Sequence, residues 1–160
     1  MNDLAKQFIA ESRDFLISDY LPKIESCLAE LTDEQIWWRP NAESNSIGNL
    51  LMHLEGSTRN WVTSVAGESY TPRNRQQEFD QREQIPKAEL LTKLRLTVTD
   101  SVIVLSNISV EGLLEKRSAG TEQVSMLWAI YHAVEHFSMH TGQIILLAKI
   151  LSKDPIRLSD

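Results

Sequence analysis

His136 and His140 stand four residues apart in the run Tyr131-His132-Ala133-Val134-Glu135-His136-Phe137-Ser138-Met139-His140-Thr141-Gly142-Gln143. On a helix that spacing turns both imidazoles to one side, which is how a single helix offers two nitrogens to one divalent cation. The fourth histidine of the chain, His53, falls in a separate apolar-periodic segment. Positions 132, 136 and 140 advance by about 40° per step and spread over about 12 Å of helix. Two neighbours therefore converge on one ion while the third points elsewhere, and the remaining ligand must come from another helix. On the helix of His53, the residues Asn49, Gly56, Ser57 and Asn60 share its face, a polar patch that a purely structural helix has no need to bury. Each histidine taken singly is more simply a packed or exposed side chain; their joint pattern makes His53, His136 and His140 the expected metal ligands.

Three neutral imidazoles leave at least one position open on a divalent ion, the pattern of a catalytic rather than a structural zinc site. The donors suit zinc, nickel, iron or copper, and zinc or nickel is the expected ion. A bound water would be acidified toward neutral pH and serve hydrolysis, whereas a bound thiol would lose its proton and serve as a nucleophile. Each ligating ring also needs its second N–H held. Asn49, Asn60, His132, Glu135 and Gln143 lie within helical reach of a ligand, although His132 reads more simply as a cap on the core. Trp37 and Trp38 read as core anchors before pocket walls. Arg73 and Arg75 could grip an anionic substrate, but a solvated loop is the simpler account. Two other motifs fail: His132-Ala133-Val134-Glu135-His136 has the H-x-x-E-H order of some zinc proteases in too short a chain. Carboxylate-bridged di-iron sites need a glutamate three residues before a histidine, which this chain lacks.

The elements that must position these residues are helical. Leu4, Phe8, Phe15, Leu16, Tyr20, Ile24, Leu28 and Leu31 recur at threes and fours and predict a first helix, with Pro22 as a kink. Thr32-Asp33-Glu34-Gln35 is a capping box opening a short turn that Arg39-Pro40 stops. Ile47 to Val65 form a second helix, begun by Asn45 or Ser46 and ended near Gly67. Thr71 to Ile85 has no apolar period and reads as a long polar connection of the kind that covers a site. Pro86 opens a third helix with the stripe Leu90, Leu91, Leu94, Val98, Val102 and Leu105. Gly120-Thr121-Glu122 introduces the fourth helix, which runs to Lys153 and Pro155. With no convincing strand, the expectation is all-α, a four-helix bundle, and bundle cores hold metals on facing helices.

Composition narrows the partners. At 160 residues the chain suits one domain, residues 1–160. A net charge of -6 disfavours a nucleic-acid backbone or an anionic membrane and leaves a small molecule or another protein. The lone Cys27 permits no internal disulfide, reads as core filler, and points to a reducing compartment. Met1 to Asp14 lacks the order of a signal peptide, and the apolar run Ile144 to Leu151 is broken by Lys149 and falls short of a span of about 20 residues. A cytoplasmic protein with no membrane segment is expected.

Trp37-Trp38-Arg39-Pro40, Asn45 through Leu54, Arg73-Asn74-Arg75 with Glu78-Phe79, and Glu135 through Gln143 together resemble a bacterial branch of the DinB-like superfamily. This superfamily of helical metalloproteins includes bacillithiol transferases and mycothiol-dependent maleylpyruvate isomerase. The resemblance covers nearly the whole chain. It implies an up-down-down-up bundle with a long crossover between helices two and three, three ligands at His53, His136 and His140, and a homodimer. It also favours a low-molecular-weight thiol S-transferase over a metal-dependent hydrolase or a non-catalytic metal-binding or dimerising bundle. Thr141 stands where the superfamily's third-ligand motif often has an arginine, so the resemblance does not carry that arginine's role over to this chain.

Overall fold

In a computed structural model, residues 2–68 and 73–158 are described. The protein is mostly helical. The first helical run is continuous but changes pitch: α1 (Asn2–Asp14) passes into a π-helical stretch, Phe15–Tyr20, and then α2 (Leu21–Ala29). Near Pro22, where a kink is expected, the helix shows this change of pitch: the N–H of Leu21 bonds the carbonyl of Leu16, five residues back. Leu16, Ile24, Cys27 and Leu28 are buried, whereas Leu4 and Phe15 of the expected stripe are exposed.

The predicted capping box forms at Thr32, with Gln35 answering it, and starts α3 (Asp33–Ile36). Trp37 follows into the core and donates its ring N–H to the carbonyl of Ile85 at 2.9 Å. Gly48 makes room for it, since a methyl there would lie 2.8 Å from the indole. Trp38 instead remains on the surface.

Ser46 caps α4 (Ile47–Thr58) and Asn49 completes a second capping box. Beyond Thr58 the helix continues as a π-helical stretch, Arg59–Ala66, and ends at Gly67 as expected. The polar connection holds a short helix that the sequence did not announce, α5 (Arg75–Asp80), capped by the side chain of Asn74. Thr71 and Pro72 of that connection lie outside the described residues. Pro86 opens α6 (Lys87–Asn107), burying Leu90, Leu94, Val98 and Leu105.

After a 3₁₀ turn, Val110–Leu114, comes a feature that corrects the expectation of no strand: an antiparallel hairpin of β1 (Lys116–Ala119) and β2 (Glu122–Ser125). Gly120, at φ +65°, takes the first place of its two-residue turn, where a positive φ favours glycine. The last helix, α7 (Met126–Leu151), therefore begins later than Gly120-Thr121-Glu122 suggested, with Ser125 accepting from the N–H of Trp128. α4 packs against α6 and α7, and α2 against α7, around a core led by Leu16, Ile24, Leu51, Leu54, Leu94, Ile130 and Phe137. No helix among the described residues is long and apolar enough to cross a membrane.

Candidate metal centre

α4 and α7 face each other where they carry histidines. Nε2 of His53 lies 3.0 Å from Nε2 of His136, which lies 3.2 Å from Nε2 of His140. Their donor atoms all fall within 4.8 Å of one another. His53 and His140 are buried and His136 is half-buried.

The outer nitrogens decide what these contacts are. Nδ1 of His53 is 2.8 Å from a carboxylate oxygen of Glu78, and Nδ1 of His140 is 2.7 Å from the side-chain carbonyl of Gln143. Both partners only accept, so each ring carries its proton on Nδ1 and directs an Nε2 lone pair inward. His136 has at most one proton to offer to two lone pairs. A shared cation satisfies all three, and tetrahedral zinc–nitrogen bonds imply ligand nitrogens roughly 3.3 Å apart. The three histidines could therefore hold a metal ion. Burial and the nearby imidazoles of His140, His53 and His132 push His136 down from 6.5 to about 3, leaving it neutral as a ligand must be. Burial likewise lowers His140, partly offset by Gln143.

Glu78 is the residue that sequence reasoning missed as a partner of the site. It is buried on α5, and Nε and Nη2 of Arg73 reach its two oxygens at 2.7 and 2.8 Å. Nη2 also comes within 3.1 Å of Nδ1 of His53, because both attend the same oxygen. Burial alone would raise the Glu78 carboxyl, yet hydrogen bonds from Arg73 and His53 outweigh it and hold the group below its ordinary value. Arg73 is thus not a solvated loop residue: Nε and Nη2 of its guanidinium are committed to Glu78. The one signal for Glu78 was its place beside Phe79 in a polar connection too long to be idle.

Asn49 explains how a loop carboxylate reaches a helix histidine. Its Oδ1 accepts from Arg39 at 2.5 Å and from the Ser46 hydroxyl at 2.6 Å, while its Nδ2 donates to the carbonyls of Glu78 and Gln81 at 2.8 and 3.3 Å. The residue that completes the cap of α4 also pins α5 beneath His53. Asn49 therefore supports the site through the Glu78 backbone, and among the described residues it hydrogen-bonds no histidine ring.

Of the other expected supports, Gln143 is the one that hydrogen-bonds a ligand ring among the described residues. Asn60 lines a cavity of about 420 Å³ beside the hairpin, with Ser64 and Glu68. Asn60 follows His53 by about 10 Å along the helix axis, and no hydrogen bond among the described residues joins it to that ring. Glu135 is exposed and lies 3.3 Å from Nδ1 of His132. His132 packs against His136 with ring centroids 5.5 Å apart rather than merely capping the core. Phe79 covers His53 at 4.6 Å, and the guanidinium of Arg75 lies 5.3 Å from the Phe79 ring. Thr141 turns its hydroxyl to the carbonyl of Phe137.

A mostly helical protein with three convergent imidazoles from two helices and a buried carboxylate behind one of them is the class that fold and site define. The chain belongs to the family described as "Protein of unknown function (DUF1572)", which matches residues 3–159. The fold is that of DinB-like proteins. A DinB-like protein of Bacillus subtilis, YjoA, is similar with a TM-score of 0.69 and 16% identity over 92% of this chain and 96% of that one. A conserved protein of Enterococcus faecalis has a TM-score of 0.66 and 14% identity over 94% and 96%. A DinB-like protein of Bacillus cereus has a TM-score of 0.64 and 17% identity over 89% and 95%. No curated protein matches the chain in sequence.

Proposed function

We propose that this protein is a metal-dependent enzyme in which His53, His136 and His140 hold one divalent ion, zinc or nickel, and that it transfers a low-molecular-weight thiol to an electrophilic small molecule. The observation that carries the reading is the pair of lone pairs, on His53 and His140, aimed together at Nε2 of His136. When bound, the ion would lower the pKa of a thiol or water at its open position. The chain's own residues do the positioning. Glu78 and Arg73 fix His53, and Gln143 fixes His140. The half-buried ring of His136 marks the side by which solvent and substrate approach.

The reacting thiol comes from outside, because Cys27 is buried and burial pushes it up to about 11. That requirement suits a cytoplasmic protein, where small thiols are abundant. The same reading takes the long helical runs as an up-down-down-up four-helix bundle whose second connection crosses over. It also takes the protein as a homodimer, for which exposed Tyr131, Leu146 and Ile150 on α7 offer apolar surface.

Metal analysis of protein purified without a histidine tag, beside His53→Ala and His140→Ala, tests the ligand set. Stoichiometric metal in the wild type and little in either variant is expected; full occupancy in a variant removes that ligand. Cobalt- or nickel-substituted protein should then develop a charge-transfer band on addition of a small thiol. Silence toward every thiol would leave a non-catalytic metal-binding helical protein. Turnover without thiol, with a pH–rate limb near neutrality, would make it a hydrolase.

A further inference from the structure

The three imidazoles are not held alike. His53 and His140 each give Nδ1 to an acceptor, whereas among the described residues no protein atom hydrogen-bonds Nδ1 of His136. Yet the half-buried ring of His136 is the one that must face both others. What lies against it is His132, one turn earlier on α7, at 5.5 Å between centroids and an interplanar angle of 52°.

His132 is itself clamped. The indole of Trp128 stacks on it at 4.8 Å and 21°, and Trp61, from the π-helical stretch that continues α4, meets His132 and Trp128 nearly edge-on at 5.1 and 5.2 Å. Trp128, His132 and His136 thus form a row of rings along α7, locked from the facing helix by Trp61. Trp128 leaves 42% of its surface to solvent, a poor place for an indole valued only for burial. Its stacked face accounts for the position.

We propose that His132 is a positioning residue whose ring, held by Trp61 and Trp128, keeps His136 turned toward His53 and His140 by tilted ring-on-ring packing rather than by hydrogen bonding. Only a flat ring is required at 132, so phenylalanine can replace it. A ligand or a proton relay there would need the ring nitrogens. The consequence for metal affinity rests on the function proposed above; the consequence for the orientation of His136 does not.

Two measurements on the full chain separate these. In metal-free protein, nitrogen–proton spectra of the histidine side chains should show His136 unchanged in His132→Phe. They should show it shifted toward the signals of a mobile imidazole in His132→Ala and Trp128→Ala, with His53 and His140 unmoved. Cobalt titration should give His132→Phe within about twofold of wild type and His132→Ala weaker by about tenfold or more. If His132→Phe behaves like His132→Ala, or His136 is unmoved in every variant, the proposal is overturned. A wild type that takes up no cobalt would end the metal reading, while the spectra would still decide the role of His132. Because Trp128 is partly exposed, Trp128→Ala spares the core and keeps the test decisive should His132→Ala fail to fold.

Discussion

A methyl group on Gly56 would stand 2.3 Å from Oε1 of Glu78 and 3.1 Å from Nε of Arg73. Gly56 lies three residues beyond His53 on the same face of α4, so the missing side chain is what lets the carboxylate close on the imidazole. Gly142, also beside a histidine in sequence, has nothing within 4 Å of the corresponding position.

The same substitution at these two glycines should therefore have opposite effects. Gly56→Ala is expected to displace Glu78, lower stability by about 1–3 kcal/mol and weaken cobalt binding by about tenfold, without altering a ligand. Gly142→Ala should raise stability by about 0.5–1 kcal/mol, as alanine does inside a helix, and leave cobalt affinity intact. Urea unfolding beside cobalt titration reads both; equal responses would show that the space at Gly56 is incidental.

Glu78→Gln keeps the shape of the side chain and removes the charge that faces His53 and Arg73. Arg73, with 14% of its side chain exposed, would lose its partner, at a cost of about 3 kcal/mol. Cobalt affinity should fall by about 10- to 100-fold. Arg73→Lys, which keeps the charge but loses the two-pronged contact, should lie between this variant and wild type in both measurements.

Acid should destabilise the metal-free protein over a defined interval. His136 titrates at about 3 when folded against 6.5 ordinarily, and His140 and Glu78 are also lowered when folded. The unfolded chain takes up protons first, so stability is full above pH 6.5 and declines as pH falls toward 3. The Tm should be level near neutrality and fall steadily from pH 6.5, with bound metal making the fall steeper as protons displace it. A Tm constant from pH 6.5 down to 4.5 would contradict the burial of neutral His136.

Cys27 should be silent in the native protein. It is fully buried, and burial pushes its thiol up to about 11. A disulfide-exchange reagent at neutral pH is expected to modify it only after denaturation. Cys27→Ala should leave metal affinity and any thiol-dependent turnover unchanged, and rapid labelling of the native protein would show that the core opens.

The convergence of His136 and His140 was legible in the sequence because an interval of four residues fixes direction within one helix, whatever packs around it. The caps at Thr32 and Ser46 were legible for the same reason: each is a contact over three residues. His53 could be nominated as the remaining histidine, but only packing of α4 against α7 set its Nε2 3.0 Å from that of His136. Asn60 shares a face with His53 on a helical wheel, but the wheel hides the roughly 10 Å of axis between them, and packing sets Asn60 in the cavity beside the hairpin. The hairpin was missed because Ala119 and Val124 are the only apolar residues of 116–125, too few to show a period of two. Glu78 reached His53 through a relation that no local pattern contains: a glycine leaving space, an asparagine pinning a loop, and an arginine neutralising the buried charge. Short-range spacing is written in the chain because backbone geometry enforces it; contacts across 25 residues and more exist only once the elements have packed.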